Sequence, residues 1–135
     1  MKKKAVIAIV QNEKGQLLLA HSKTDPHDWG FPGGKVETNE LMSLAIAREL
    51  LEETGYKCEM KPCYIAEDGE FEVYAFVGIS IPVFISEHNE GLGRWGSIVE
   101  LLNPLNTHFQ FNLKMITELM LRGSLCVAIP EWLIC

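Results

Sequence analysis

The stretch Gly34-Lys35-Val36-Glu37-Thr38-Asn39-Glu40, continuing through Arg48-Glu49-Leu50-Leu51-Glu52-Glu53-Thr54-Gly55-Tyr56, decides how this chain is read. On a helix, Glu49, Glu52 and Glu53 stand at i, i+3 and i+4, so three carboxylates share one face. Like charges placed together cost energy. A solvated helix would normally offset them with lysine at i+4, yet Glu49 has Glu53 there. One reading of the run alone is a solvated acidic face. The other is a site for hard cations, since Mg²⁺ and Mn²⁺ take oxygen ligands from a few carboxylates plus substrate phosphates. Arg48, four residues before Glu52, can hold one carboxylate in place.

Outward from this core, a helix is expected from roughly Glu40 to Thr54, capped by Thr38 or Asn39 and stopped by Gly55. Upstream, Val6–Val10 is an apolar β-type run, Glu13–Gln16 a turn and Leu17–Ala20 a second strand, which predicts an opening hairpin. His21–Gly30 reads as a loop, with Trp29 and Phe31 as core residues. Downstream, Glu70–Val77 alternates as a half-buried strand, and Ile79–Ile85 continues as an edge or bulged strand because of Pro82. Arg94–Leu102 is expected to be a short helix or turn. Asn112–Arg122 reads as a helix with Asn112 as N-cap and Gly123 as stop. Leu125–Ile134 is placed as a packed tail or edge strand. This mixed order predicts an α/β sandwich in one domain spanning 1–135.

The 135 residues are 47% hydrophobic and 22% charged, an ordinary globular balance that needs no disulfides as staples. A net charge of −6 argues against stable nucleic-acid binding, which needs a basic face. It does not exclude phosphate substrates, because a bound divalent cation reverses the local sign. Met1-Lys2-Lys3-Lys4 before six apolar residues reads as a basic entry into a strand rather than a secretion signal, and no stretch is long enough for a membrane span. The expected location is cytoplasmic, with Cys58, Cys63, Cys126 and Cys135 as free thiols. Gly91–Gly96 fits GxGxxG, but a polar loop precedes it and Pro104 follows, so a dinucleotide site is not expected.

The wider spacing is more specific than the acidic run. Residues 34–56 resemble the Nudix box, Gly-x5-Glu-x7-Arg-Glu-U-x-Glu-Glu-x-Gly-U, with U bulky and apolar. Gly34, Glu40, Arg48, Glu49, Leu50, Glu52, Glu53 and Gly55 fill it, and Tyr56 meets the last class loosely. With seven fixed types at about 6% each, a chance match is on the order of one in 10⁸ per window.

The resemblance implies a Nudix α/β/α sandwich with a mixed sheet and a catalytic loop-helix-loop, and hydrolysis of a nucleoside diphosphate linked to a group X. It implies Glu49, Glu52 and Glu53 as metal ligands for Mg²⁺ or Mn²⁺, helped by the Gly34 carbonyl. Glu40 would be a further carboxylate at the metal site or a support to it, and Arg48 would orient the glutamates. Glu49, Glu52 and a downstream glutamate all remain open as general base. Glu90, five residues before Trp95, is the downstream match, with Glu87 in reserve. Lys35 would contact phosphate.

Trp29-x-Phe-Pro-Gly-Gly-Lys-Val-Glu resembles the MutT-like branch, which acts on (d)NTPs and releases NMP and pyrophosphate. Phe109-x-x-Asn112 resembles its base-reading segment. Tyr74, eighteen residues past Tyr56, points instead to dinucleoside polyphosphates or 5′-RNA, while Phe71 disfavours ADP-ribose. A third reading is a Nudix-fold binding domain without catalysis. The expected partner is a nucleotide, and the chain a monomer or homodimer.

Overall fold

The computed structural model describes residues 2–125. Lys3–Ile9 forms β1, Leu17–His21 β2, Trp29–Gly30 β3 and Gly33–Lys35 β4. The helix α1 covers Met42–Thr54, followed by β5 at Tyr56–Lys57, β6 at Met60–Asp68, β7 at Phe71–Gly78 and β8 at Val83–Phe84. Then come β9 at Gly93–Gly96, the short helix α2 at Ile98–Leu101 and α3 at Phe109–Leu121. The main sheet has the order β4-β1-β7-β6 and is mixed, because β1 runs parallel to β7 while the other pairs are antiparallel.

Strand alternation splits this sheet into two buried faces. Val6, Ala8 and Phe76 point to one side, where they meet Ala45, Ile46 and Leu50 of α1. Ile9, Ala66 and Ala75 point to the other, where they meet Met115, Ile116 and Leu119 of α3. Helices cover both faces, as the expected α/β/α sandwich requires.

Several local expectations give way to long-range pairing. The chain does turn between β1 and β2, with Leu18 N–H donating to Val10 O at 2.9 Å. It does not form a two-stranded hairpin there. Instead β1 is flanked by β4 and β7, and β2 joins β3 and β9 in a second sheet. The segment read as a loop supplies Trp29–Gly30 to that sheet, pairing Ala20 with Gly30 and His21 with Trp29. Arg94 and Trp95, expected in a helix or turn, lie in β9, with Leu18 opposite Trp95 and Leu19 opposite Arg94. The helical expectation holds only for Ile98–Leu101, where Ser97 and Glu100 form a capping box.

The helix α1 starts two residues later than expected. Leu41 is its N-cap and makes no side-chain cap bond, whereas Asn39 adopts φ 65 in the turn before it. Gly55 stops it as read: at φ 78 it takes the left-handed conformation and donates its N–H to Leu51 O at 2.9 Å. Only Val83–Phe84 of the expected 79–85 strand is paired, with Tyr56–Lys57. Asn112 is not an N-cap, because α3 begins at Phe109 after His108. Leu125 is buried in the α3-side core; the rest of the expected tail, and Cys126 and Cys135, lie outside the described residues. Cys58 and Cys63 are free thiols. Among the described residues, no helix is long and apolar enough to cross a membrane.

Candidate active site

The glutamates of α1 meet the glycine turn of β4 at one end of the main sheet. Pairing β4 with β1 places Gly33 opposite Ile7 and Gly34 opposite Val6. The contact leaves no room for side chains. A Cβ on Gly33 would lie 2.0 Å from Val6 O, and one on Gly34 would lie 2.5 Å from the Glu49 carboxylate. Gly33 N–H donates to Glu53 Oε1 at 2.7 Å. The absence of side chains thus lets two carboxylates reach the backbone of the turn.

Arg48 organises the other side of the cluster. Its Nε donates to Glu40 Oε2 at 2.8 Å and Nη2 to Glu40 Oε1 at 2.9 Å, a two-pronged grip. Nη1 donates to Glu49 Oε1 at 2.9 Å and lies 3.5 Å from Glu52 Oε2, while Nη2 also reaches Lys35 O at 3.2 Å. Glu40 further accepts the Glu37 N–H at 3.0 Å. Both Glu40 oxygens are therefore spoken for, and its carboxyl is held down at about 2 by the Arg48 hydrogen bonds first and the backbone donor second. Glu52 is the most open of the three helix glutamates, its side chain half exposed.

Two of the glutamates resist ionisation. Burial pushes Glu53 up to about 7, opposed by the Gly33 N–H and reinforced by the negative charges of Glu49 and Glu90. Glu49 is also raised, by burial first, with Arg48 opposing and Glu52 and Glu90 adding repulsion. Glu90 thus joins the same field from a separate loop. Its backbone N–H donates to Glu52 O at 2.8 Å, and its carboxylate pairs with Lys23 Nζ at 3.1 Å. Glu87, three residues earlier, is exposed. Among the described residues, no three carboxylate, imidazole or thiol side chains are already drawn into a closed metal cage.

A cavity of about 350 Å³ opens beside the turn, within the range of small-ligand sites. Gly33, Gly34, Lys35 and Glu53 line one part of it, with Phe31, Phe71 and Phe111 as aromatic walls and Asn112 among its lining residues. Lys35 Nζ sits 5.6 Å from the Phe71 ring centroid. Asn112 is 1% exposed; its Nδ2 donates to Leu101 O at 3.0 Å. Tyr74 falls elsewhere: it packs with the α1-side core, 6.0 Å below Lys4 Nζ, and does not line the cavity. Trp29 packs against the α3-side core under the Arg94 guanidinium, 4.2 Å from its ring.

Sequence reasoning missed Asp28, His21, His108 and Phe111, all of which line this cavity. Asp28 is buried and accepts both the N–H and the hydroxyl of Thr107, tying the loop before β3 to the start of α3. Residues 79 apart carry no local signal of that contact; a lone aspartate in a polar loop reads as solvated.

Known proteins resemble the chain in sequence and in fold. A putative 8-oxo-dGTP diphosphatase of Bacillus subtilis (strain 168) is 46% identical over 52 residues, 38% of this chain and 34% of that protein, so the match spans about a third of the relative's length. Diphosphoinositol polyphosphate phosphohydrolase 2 of Rattus norvegicus is 25% identical over 131 residues, covering 91% of this chain and 73% of its own. The MutT Nudix hydrolase structure from Burkholderia pseudomallei superposes with a TM-score of 0.61 over 86% of this chain and 98% of that one, at 22% identity, a likeness of fold. The family model of the NUDIX domain matches residues 1–113, and with that match the chain belongs to the Nudix family.

Proposed function

We propose that this chain is a divalent-metal-dependent hydrolase of nucleoside diphosphate-X substrates, acting as a MutT-like (d)NTP pyrophosphohydrolase that releases NMP and pyrophosphate. The observation that carries this reading is the meeting of Glu49 and Glu53 with the Gly33–Gly34 turn at the edge of an aromatic-lined cavity. The partial likeness to an 8-oxo-dGTP diphosphatase supports the substrate class.

The donor set fits a hard cation. Glu49, Glu52, Glu53 and Glu90 offer carboxylate oxygens within one another's fields, and the bare Gly34 leaves the Glu49 carboxylate space against the backbone. Mg²⁺ is ordinarily held by one or two carboxylates together with substrate phosphates and water. When bound, the metal neutralises phosphate charge and makes hydroxide available near neutral pH. The chain's own residues then have separate tasks. Glu49, Glu52 and Glu53, with the Gly34 carbonyl and Glu90, would hold the cation. Arg48 fixes Glu49 and is itself fixed by Glu40. Lys35 would face the phosphates, and Phe31, Phe71 and Phe111, which line the cavity with Asn112, would enclose the base. A carboxylate of the cluster accepts the proton of the attacking water as its oxygen bonds to phosphorus and the P–O bond to pyrophosphate breaks.

The dinucleoside polyphosphate and 5′-RNA reading rests on Tyr74, which lies away from the cavity, so it serves as a test arm. A panel of dNTPs, oxidised dGTP, diadenosine tetraphosphate, ADP-ribose and triphosphorylated RNA, run with Mg²⁺ and Mn²⁺, decides between them. NMP and pyrophosphate from (d)NTPs, lost by about 10²–10⁴-fold in Glu53→Gln, is the expected result. Preferred turnover of diadenosine tetraphosphate or RNA would overturn the substrate class, and no turnover at all would favour a binding domain. The expected cytoplasmic, single-domain setting belongs to the same proposal.

A further inference from the structure

The cavity beside the glycine turn has polar lining residues that the proposed chemistry leaves unused. Asp28 and His108 line it with Asn112, brought together by the loop before β3 and the start of α3. Asp28 is a buried carboxylate, its side chain 9% exposed. Thr107 N–H donates to its Oδ1 at 2.9 Å and the Thr107 hydroxyl to its Oδ2. The Asp28 backbone is fixed as well, its N–H donating to Asp25 O at 3.2 Å and its carbonyl accepting from Ser22 N–H at 3.1 Å. An ionised carboxylate offers about four acceptor positions, so two donors leave about half of them open. Among the described residues, the basic group that approaches it is His108, whose Nε2 lies 3.8 Å from Oδ2. A buried carboxylate without a fixed cation needs further hydrogen-bond donors. Its place in the cavity wall lets a ligand supply them. Asn112 lies beside this group with Nδ2 turned to the carbonyls of Leu101 and Trp29, and among the described residues its Oδ1 accepts no hydrogen bond. Asp28 and Asn112 therefore both hold acceptor capacity here.

We infer that Asp28 is a base-selecting residue, which takes a 6-oxopurine in preference to a 6-aminopurine. A 6-oxopurine carries N–H at ring position 1, and guanine adds the 2-amino group beside it, giving neighbouring donors for one carboxylate. A 6-aminopurine has a bare nitrogen at that position, which sets a lone pair against the Asp28 oxygens. Cytosine has the same defect at its ring position 3, and the N–H of thymine is flanked by two carbonyls that a carboxylate repels. Buried acceptors of this kind discriminate strongly, because the wrong base leaves them without donors. Held by Thr107 and by its own backbone, the carboxylate needs little reordering when a base arrives. The inference rests on the reading of this cavity as a nucleotide site.

Calorimetric titration of the full chain with GMP, IMP and AMP in Mg²⁺ tests this, alongside kcat/KM for dGTP, dITP and dATP. GMP and IMP are expected to bind at least about tenfold more tightly than AMP, with the same order in kcat/KM. Asp28→Asn keeps an oxygen for the Thr107 N–H and offers an amide N–H that the Thr107 hydroxyl can accept, so the fold is retained. It is expected to abolish or reverse the preference, because the amide can donate to the bare nitrogen of AMP. Thr107→Val removes one donor to Asp28 but keeps the carboxylate, and is expected to lower the melting temperature while preserving the order. Equal values across both series, a preference for AMP and dATP, or a preference that survives Asp28→Asn overturns the inference. A preference lost to the same extent in Thr107→Val overturns it too, and confines Asp28 to holding the loop. Each of these leaves hydrolysis of (d)NTPs standing, whereas a chain that neither binds these nucleotides nor hydrolyses (d)NTPs refutes both readings.

Discussion

Arg48 grips Glu40 through two parallel hydrogen bonds, 2.8 and 2.9 Å, and donates further N–H groups to Glu49 and to Lys35 O. Glu40 lies eight residues before Arg48 and outside the helix, so this fork ties the turn before α1 to the carboxylate face. Both its oxygens accept hydrogen bonds, and we propose that Glu40 acts through Arg48 rather than on a cation directly.

Glu40→Gln is therefore expected to loosen Glu49 through Arg48 without removing any proposed cation donor. An amide offers one oxygen in place of two and sets an N–H against the guanidinium. Supporting groups of this kind change metal affinity or activity by about 10–100-fold. Titration of Mn²⁺ by electron paramagnetic resonance, alongside kinetics, checks it. Unchanged Mn²⁺ affinity and turnover would show that Arg48 holds Glu49 unaided.

The two glycines of the turn should fail in different ways. A methyl on Gly33 would lie 2.0 Å from Val6 O, backbone that cannot yield without parting β1 from β4. The atoms nearest a methyl on Gly34 are those of the Glu49 carboxylate at 2.5 Å, the end of a side chain that can swing aside. Gly33→Ala is expected to cost about 3 kcal/mol or more in denaturant unfolding, and Gly34→Ala about 1 kcal/mol. Activity in Gly34→Ala should nonetheless fall with the displaced Glu49. Equal stabilities for the two variants would refute the distinction.

Glu53 sets a pH dependence whose direction follows from its raised pKa. An unfolded chain releases this proton near 4.5, the folded, metal-free chain near 7. Between those values the folded state holds a proton that the unfolded state has lost, so stability falls as pH rises through the window. Above about pH 7 the full penalty of ionised Glu53 is in place, roughly 3 kcal/mol at most. Melting curves in chelator should show this decline in the wild type and its flattening in Glu53→Gln. Added Mg²⁺ should raise the wild-type melting temperature most at the alkaline end, where the carboxylate is already charged.

What could be read from sequence follows the range of the interactions involved. The box was legible because Gly34, Glu40, Arg48 and the three glutamates meet within one turn-helix unit, where spacing alone fixes which side chains are neighbours. Its α-helical face and its Gly55 stop were legible for the same reason. Trp95 was misread because its strand is defined by Leu18, 77 residues upstream. Met60–Asp68 went unread as a strand because the register shift between Pro62 and Tyr64 breaks the alternation and much of its surface is exposed. The cavity walls at Asp28, His108 and Phe111 come from segments brought together only by the packed sheets. Asn112 was read as a cap from its neighbours alone, and its partners lie outside the helix.

That amide gives the last prediction, because its contacts separate a structural role from a substrate role. Asn112 Nδ2 donates to Leu101 O at 3.0 Å and approaches Trp29 O at 3.5 Å, joining α3 to the end of α2 and to β3. Asn112→Ala leaves the buried Leu101 carbonyl without this donor, which costs about 1–3 kcal/mol. Asn112→Asp presents an acceptor to an acceptor and should destabilise more. Asn112→His can restore a ring N–H donor but changes the cavity wall, so it offers partial rescue of stability without rescue of base preference. If Asn112 also reads the base, the alanine variant will lose discrimination among (d)NTPs through KM while the melt of the nucleotide-free protein falls. A stability loss with unchanged ratios of kcat/KM among bases would confine Asn112 to holding α3 in place, and would move base selection to the Asp28–His108 side of the cavity.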